Sequence, residues 1–303
     1  MSSKKKLLLC EHKNHGVYAD LDQIKSHLSK MAPELRVKII SGKMGWFSRM
    51  MNKGATVLSL TPWKHQIPKD SELWCGVNLS KSEECQRLED HGIPVPRWHL
   101  WKEGQELPAE MENWGTYVVR KPDVGSRGAE VKIVRRSRLK WRNLEVKYRN
   151  LVSEPFLQEF IYTGRYPISY RVGSFLGGPL YSVKIEAAGV AEPLMSKDGF
   201  DGGATIVANT KQSRYTLCMD EEVLKLASQA HRAFPEIPLL GVDIIKDCET
   251  GKLWVLEVNA SGHTWHLSSE VGREVQEKHQ LDFHAQFGGL QRAAELIAAQ
   301  FGN

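Results

Sequence analysis

The sequence predicts a mixed α/β and α+β fold, and two observations lead to it. In residues 1–78, apolar strands alternate with a helical segment, which is typical of a parallel sheet. From residue 79 onward, apolar runs follow one another across Gly-containing turns, which indicates antiparallel hairpins. The 303 residues, of which 41% are hydrophobic, suffice for two or three compact units. We therefore divide the chain into residues 1–78, 79–153 and 154–303.

The first segment contains three predicted strands and one predicted helix. Leu21, Ile24 and Leu28 recur at helical spacing. No GxGxxG pattern follows the first strand, so the sequence does not support a dinucleotide-binding fold. The predicted elements are the strand Lys6–Cys10, the helix Asp20–Met31, and the strands Arg36–Ile40 and Ala55–Leu60.

The second segment combines a helix, a lysine strand and a glycine loop. Ser80 or Ser82 can cap a helix that Gly92 ends. Farther on, a strand ends at Lys121 and a loop with two glycines follows. Backbone N–H groups of such a loop can bind a phosphate with Lys121 as the point charge, although a plain hairpin loop fits the pattern equally well. The predicted strands are Arg97–Trp101, Tyr117–Lys121 and Ala129–Val134.

The third segment is predicted to be a sheet with helices. Arg171 and Lys184 alternate with apolar neighbours on two strands, so we expect both on one face of that hairpin. Asp220 provides an N-cap for the next helix. The predicted elements are the strands Phe156–Ile161, Ile168–Leu176 and Leu180–Ala187, a helix from Asp220 to about Phe234, and a helix over Phe283–Phe301.

A second hairpin of this segment carries three oxygen-bearing side chains within an apolar pattern. Glu257 and Asn259 are two residues apart on one strand, so their side chains point to the same face. A turn near Gly251 brings Asp243 beside them. Two carboxylates and an amide on one face would repel each other and lose hydration, and Mg²⁺ or Mn²⁺ would relieve both costs. The alternative is that Asp243 is a strand-end residue and that Glu257 and Asn259 are solvated.

Five motifs, in this order along the chain, resemble those of the ATP-grasp superfamily. The resemblance covers roughly residues 75–270, and its specificity comes from the order of the motifs. Within the superfamily, the chain is most similar to the ribosomal-protein glutamate ligases and related peptide ligases. The motifs are Lys81 with HGIPVPRW, YVVRKPDVGSRGAEV, VSEPFLQEFI, SYRVGSFLGGPLYSVKIEA, and GVDIIKD with LWVLEVNASG.

The resemblance implies an ATP-grasp fold, with a small N-terminal α/β pre-grasp domain and two α+β subdomains that enclose ATP. It implies a carboxylate–amine ligase in which a carboxylate attacks the γ-phosphate and an amine then attacks the acyl phosphate, releasing ADP and phosphate. Two divalent ions, Mg²⁺ or Mn²⁺, are the expected metals. The expected partners are small-molecule or peptide carboxylates and amines.

The resemblance also assigns roles to individual residues. Arg171 would face the acyl phosphate, where its fork geometry suits two oxygens, and Lys184 would assist. Asp243, Glu257 and Asn259 would hold the metal ions. The residues expected to bind ATP are the phosphate contacts Lys81, Lys121, Gly125, Ser126, Arg127 and Gly128, and the adenine contacts Gln158, Glu159, Phe160 and Ile161.

The sequence departs from the family pattern at two places near this site. The run 162–165 contains no carboxylate to bind the ribose hydroxyls. After Asn259, the chain continues with His263, Trp265 and His266, which we interpret as pocket or packing residues and not as metal ligands.

Three alternatives to a ligase stay open. A kinase of the same fold would stop at phosphoryl transfer, and a non-catalytic nucleotide-binding protein would not turn over. Nucleic-acid binding through the basic run 135–142 is the third, and it is weakly supported because the run lacks an aromatic stacking platform.

The net charge of +5 suits an anionic small ligand. The five cysteines form no CxxC pair, which favours reduced thiols and a cytoplasmic location. The apolar run near the N-terminus is too short for a signal peptide or membrane helix. We therefore expect no membrane partner and no nucleic-acid partner, and homo-oligomerisation stays open.

Overall fold

The computed structural model describes residues 5–11, 18–125, 128, 130–146, 150–187 and 213–302. Within these residues, three main sheets and one two-stranded ladder combine with seven α-helices. A parallel sheet precedes two antiparallel sheets, so the predicted mixed fold is confirmed. In this part of the chain, no helix combines the length and the hydrophobicity needed to cross a membrane.

The first sheet is parallel. Its strands are β1 (Lys6–Glu11), β2 (Arg36–Ser41), β3 (Thr56–Ser59) and β4 (Glu72–Cys75), and its helices are α1 (Tyr18–Met31) and α2 (Trp46–Met51). The strand order is β2-β1-β3-β4. The predicted helix and three strands of this segment are confirmed, whereas α2 and β4 have no counterpart among the predicted elements.

The second sheet is antiparallel and follows helix α3 (Lys81–Asp90). The side chain of Ser80 accepts from the backbone N–H of Glu83, and the side chain of Glu83 accepts from the N–H of Ser80. Ser80, not Ser82, is therefore the N-cap. The strands after α3 are β5 (Trp98–Leu100), β6 (Tyr117–Pro122), β7 (Lys132–Arg135), β8 (Leu144–Val146), β9 (Leu151–Ser153) and β10 (Pro155–Glu159).

Strand β10 determines where this sheet ends in sequence. The strand order is β5-β10-β6-β7, while β8 and β9 form the separate ladder. The prediction assigns residues 154–303 to the third unit, yet β10 pairs with β5 and β6. The boundary at 153/154 therefore does not coincide with a boundary between sheets, and the division into domains stays a prediction.

The third sheet is antiparallel, with the strand order β13-β12-β11-β14-β15. Its strands are β11 (Ile168–Phe175), β12 (Gly178–Ala187), β13 (Ser213–Leu217), β14 (Leu239–Lys246) and β15 (Leu253–Asn259). The helices of this part are α4 (Glu221–His231), α5 (Glu270–His279), α6 (Phe283–Phe287) and α7 (Gly289–Phe301).

The predicted cap of α4 is present, whereas the predicted C-terminal helix is divided in two. Asp220 caps α4 by accepting from the N–H groups of Glu222 and Val223, as predicted. The single helix predicted over Phe283–Phe301 is wrong, because Gly288 adopts a positive φ of 86° and separates α6 from α7. A residue in that left-handed conformation ends a helix, and glycine adopts it without steric cost.

The third sheet has two different faces. The helix face, with Val172, Val242 and Val258, belongs to one apolar cluster with Val223 and Ala227 of α4. We call the opposite side the charged face, because it presents the charged residues described below. The charged face also has an apolar part, where Tyr181 of β12 belongs to one apolar cluster with Phe283 of α6 and with Leu290 and Ile297 of α7.

The loop after β15 joins the third sheet to the first. The N–H of Val77 donates to Ala260 O at 2.8 Å, and the indole of Trp265 donates to Asp20 of α1 at 2.7 Å. Gly76 permits this approach, since a Cβ there would lie 2.9 Å from Ala260 O. The carboxyl ends of β3 and β4 therefore lie beside the end of the hairpin that carries the predicted metal ligands.

Candidate active site

The strand register places Arg171, Asp243 and Glu257 in one row across β11, β14 and β15. Asp243 pairs directly with Arg171 on one side and with Glu257 on the other. Direct cross-strand partners share a face, and Asn259, two residues after Glu257, lies on that face as well. The structure therefore brings together the three side chains predicted as metal ligands.

A β-bulge gives Glu257 this position. Asp243 pairs with Glu257 but Ile244 pairs with Val255, which leaves Leu256 as the extra residue. Bulges re-aim side chains beside functional sites. Because of it, Val255 and Val258 both lie in the apolar cluster of the helix face, while Glu257 points to the charged face.

Asp243 is bound by Arg171 through both carboxylate oxygens. Nε donates to Oδ1 at 2.7 Å and Nη2 donates to Oδ2 at 2.6 Å, while Nδ2 of Asn259 donates to Oδ2 at 3.1 Å. Burial raises the pKa of Asp243 above its usual value, and Arg171 opposes that shift. A metal ion bound at this row would have to share the carboxylate of Asp243 with Arg171 or displace Arg171 from it.

Glu84 is a functional candidate that sequence reasoning missed. Its Oε2 accepts from the N–H of Val258 at 3.4 Å, and its side chain is buried. Burial raises the pKa of Glu84 well above its usual value, and the nearby charge of Glu257 adds to the shift. The only sequence signal was its position at helical spacing on the buried face of α3, a face that also contains Cys85 and Leu88.

Lys81 and Lys121 bring positive charge to the same place. Both are buried, with 6% and 4% of their surface exposed. Burial lowers the pKa of Lys121, whereas the charge of Glu257 favours its protonated form. Because the charges of Glu257 and Glu84 both act on Lys121, the lysine strand lies near the acidic row, and we call the region between them the cleft.

The first turn of α3 fixes the loop that follows Lys121. Both oxygens of Asp123 are bound by Ser82, from its N–H at 2.8 Å and its hydroxyl at 3.1 Å. Nζ of Lys81 donates to Gly125 O at 3.0 Å. The predicted phosphate contacts Lys81, Lys121 and Gly125 therefore lie together. Gly128 has a φ of 68°, which suits a turn, and Ser126 and Arg127 lie outside the described residues.

The predicted adenine contacts fall on different sides of β10. Gln158 shares a face with Lys121, because Phe156 pairs with Lys121 and Gln158 pairs with Val119. Glu159 points to the other face, where Arg97 binds it at 2.8 Å. Phe160 packs with Tyr117 and Ile133 on the side of Gln158, and Ile161 is buried.

Gln158 stands out among the adenine contacts because it is fully buried and its amide is unsatisfied. Neither its amide nitrogen nor its amide oxygen has a hydrogen-bond partner among the described residues. A buried amide left without partners costs free energy. A ligand with an adjacent donor and acceptor, such as an adenine edge, would satisfy both atoms.

The expectation that Lys184 shares a face with Arg171 is wrong. Arg171 pairs with Val183 and Lys184 pairs with Tyr170, so Lys184 lies on the opposite face of the hairpin. The two residues belong to different strands, and the register of the hairpin decides which face each one takes. Sequence alternation within each strand does not fix that register.

The aromatic residues after Asn259 make packing contacts. Trp265 and His266 are buried, and the ring of His266 stacks on Tyr181 with centroids 5.0 Å apart. Tyr181 fits there because Gly173 has no side chain, since a Cβ would lie 2.1 Å from its ring. Burial and the charge of Arg171 lower the pKa of His266 to about 3, so the ring is neutral at neutral pH.

The donor set of the row suits a hard cation. Within the described residues, no cluster of three or more His, Cys, Asp or Glu side chains is arranged to hold a metal ion. The row instead combines two carboxylates with the amide oxygen of Asn259, and such oxygen ligands are those that Mg²⁺ prefers. Asp243, Glu257 and Asn259 therefore fit the ion by chemistry, provided that Arg171 yields part of Asp243.

The comparison with known proteins finds no matching family model and no matching curated protein. Solved structures do match over nearly the whole chain. The ATP-grasp ligase PsnB complexed with a minimal precursor, Mg and ADP superposes with a TM-score of 0.53 at 14% identity, covering 98% of each chain. The D-cycloserine synthetase DcsG gives 0.51 at 13% identity, covering 98% of this chain and 99% of the other.

The chain has the ATP-grasp fold. The resemblance in motif order and the superposition agree on this. At these identities the comparison establishes the fold alone. The chemistry must therefore be argued from the residues of the cleft.

Proposed function

We propose that the chain is an ATP-dependent carboxylate–amine ligase that forms an acyl phosphate and releases ADP and phosphate. One observation carries the proposal. Two buried lysines face a row of Arg171, two carboxylates and an amide inside an ATP-grasp fold. Cations for a triphosphate and oxygen ligands for its counter-ions are thus available in one cleft, and phosphoryl transfer needs mainly such positioning and charge neutralisation.

Lys81, Lys121 and the loop at Gly125 would bind the phosphates, and Gln158 would bind the adenine edge. Asp243, Glu257 and Asn259 would hold Mg²⁺ or Mn²⁺, most simply as two ions. When bound, the ions neutralise phosphate charge and favour attack at the γ-phosphate. Filling the cleft would also reduce the repulsion between Glu84 and Glu257, and it would give the amide of Gln158 hydrogen-bond partners.

Arg171 would bind the acyl phosphate. Its guanidinium forms a two-point contact with the carboxylate of Asp243, and the same fork geometry suits the paired oxygens of an acyl phosphate. We infer that an anionic substrate group competes with Asp243 for this fork. Release of Asp243 would then free the carboxylate for a metal ion, so that substrate and ion sites fill together.

The substrates are proposed by class. The neighbours are named as a synthetase for D-cycloserine and as a ligase complexed with a precursor peptide. We propose that the chain joins the carboxylate of a small molecule or a peptide to an amine.

The proposal is tested by ADP release with Mg²⁺ and a panel of amino acids and peptides, with hydroxylamine as trap. A hydroxamate product requires an acyl phosphate and would exclude a kinase that phosphorylates a hydroxyl group. Substrate-dependent ADP release without hydroxamate or amide would contradict the ligase.

A second candidate is a nucleotide-binding protein without turnover. The bidentate contact between Arg171 and Asp243 favours it, because it occupies a predicted metal ligand. The absence of a carboxylate in 162–165 points the same way. Mg²⁺-dependent ATP binding without ADP release across the panel would support this candidate.

A further inference from the structure

Helix α2 presents an apolar face to solvent. Trp46, Phe47, Met50 and Met51 are 71%, 64%, 50% and 47% exposed, and they account for four of the eleven exposed large hydrophobic residues among those described. At 100° per residue, these four side chains cover one continuous side of the helix. No residue of α2 is buried.

The polar side of α2 faces inward. Nη1 of Arg49 donates to Met44 O at 2.7 Å, and the carbonyl of Ser48 accepts from the Asn52 side chain at 2.7 Å. Both Arg49 and Ser48 are half-buried. The amphipathic pattern is therefore inverted relative to a helix that covers a core, where the apolar stripe is buried.

The segment around α2 is strongly basic. Residues 36–69 contain seven of the 41 Lys and Arg residues and none of the 36 Asp and Glu residues. The segment therefore carries +7, which exceeds the +5 of the whole chain. An apolar helix face within a basic segment complements a surface that has a negatively charged outer layer over an apolar interior.

A lysine-lined cavity adjoins the end of α2. It has a volume of about 390 Å³, and Lys5, Lys6, Lys53, Glu72, Trp74 and Phe301 are among its lining residues. Nζ of Lys6 donates to Met51 O at 3.1 Å, which joins the cavity to the helix. Lys53 also pairs with Asp70 at 3.0 Å, and both groups are more than half exposed. The cavity is large enough for the phosphate of a lipid headgroup.

Other partners fit this surface less well. A second copy of the chain would bring one basic segment against another. A nucleic acid would satisfy the cations but would not provide an apolar surface for the four apolar side chains. A folded protein or peptide would need a groove to receive a protruding helix, whereas a bilayer surface deforms around inserted Trp, Phe and Met side chains.

We propose that α2 and the adjoining cavity form an attachment site for a membrane surface rich in anionic phospholipids. Trp46, Phe47, Met50 and Met51 enter the interface between headgroups and acyl chains, where aromatic side chains are favoured. The cations of residues 36–69 and of the cavity bind headgroup phosphates. This replaces the sequence expectation of no membrane partner and does not depend on the ligase activity.

The test is co-sedimentation of the full chain with phosphatidylcholine vesicles, with and without phosphatidylserine. We expect binding only to the phosphatidylserine vesicles, weakened by salt because surface charges are screened. The double variant Trp46→Ser/Phe47→Ser should lower the partition coefficient about tenfold or more, since two large side chains lose apolar contact. Lys43→Gln should weaken binding by about fivefold for the loss of one basic charge.

Matched controls keep the result interpretable. Met219→Ser and Val271→Ser remove exposed apolar residues elsewhere, which are 58% and 50% exposed, and should not change partitioning. Thermal melts of the variants test whether each one folds. Absence of sedimentation with both vesicle types, or equal loss in the control variants, would overturn the proposal. So would self-association in solution that the Trp46/Phe47 variant abolishes.

Discussion

Buried polar groups at the two faces of the third sheet differ in whether their hydrogen bonds are satisfied. On the helix face, His231 is 4% exposed and both ring nitrogens have partners, Ser174 Oγ at 2.8 Å and Ile237 O at 2.8 Å. On the charged face, Glu84 is buried beside Glu257 with one long contact at 3.4 Å from a backbone N–H. The first arrangement is complete without a ligand, and the second is not.

This difference separates a structural polar group from a functional one. A satisfied buried group stabilises the fold, whereas like charges held together cost free energy that a bound ligand can recover. The helix face should therefore respond to mutation through stability and the charged face through activity. Four experiments test that contrast.

Glu257→Gln tests the charged face. We expect ADP release to fall about a thousandfold, because a charge held for the transferring phosphate is lost. The thermal midpoint should change little, since the lost repulsion with Glu84 offsets the lost attraction to Lys121. Steady-state ADP assays and thermal melts measure both quantities. Retained turnover, or a large fall in the midpoint, would place Glu257 among the structural residues.

Acidification tests the helix face. Burial lowers the pKa of His231 to about 4, below its ordinary value of 6.5. Between these values the unfolded chain binds a proton that the folded chain excludes, so stability is full above pH 6.5 and is lost as the pH falls. The loss of unfolding free energy that is due to His231 should reach about 3 kcal/mol near pH 4.

Urea unfolding of the wild type and of His231→Gln measures this loss. The difference in unfolding free energy between the two proteins should shrink by that amount from pH 7 to pH 4. An unchanged difference across this range would mean that His231 titrates normally in the fold.

Ser174→Ala removes the hydroxyl that His231 uses. We expect a loss of about 1–2 kcal/mol in unfolding free energy, the cost of one unsatisfied buried group. ADP release at a temperature well below the midpoint should remain that of the wild type. A loss of turnover in a folded variant would show that the two faces are coupled.

Lys184→Gln is expected to have the smallest effect. Lys184 lies on the face opposite Arg171, so turnover should change by less than about twofold, within the range of surface substitutions. Arg171→Gln is the comparison, and it should lower turnover strongly. Equal losses in the two variants would restore the role that the sequence predicts for Lys184.

The sequence predicts the architecture well where patterns are local. The alternation in β1, α1, β2 and β3, the cap of α3 and the acidic hairpin follow from spacing within one element, and the structure shows them. Helix α5 and strand β4 have no predicted counterpart. Helix α5 contains only two large apolar residues, Val271 and Val275, and a single buried residue, Gly272, and β4 has four residues, too few for a periodic signal.

The candidate site was predictable only in part, since it depends on contacts between distant elements. Asp243, Glu257 and Asn259 share a hairpin, so their meeting follows from strand geometry. Glu84 reads as an ordinary helical glutamate until α3 packs against the edge of β15. The face of Lys184 depends on the register of β11 with β12, which no pattern within either strand specifies.

The most direct test of the proposed triphosphate site is calorimetric titration of ATP with Mg²⁺ into the wild type, Lys121→Ala and Lys184→Gln. We expect the wild type and Lys184→Gln to bind ATP with similar affinity. Lys121→Ala should bind at least about tenfold more weakly, because a buried cation of the phosphate site is gone. Equal affinity in all three proteins would contradict the claim that the cleft between Lys121 and the acidic row binds a triphosphate.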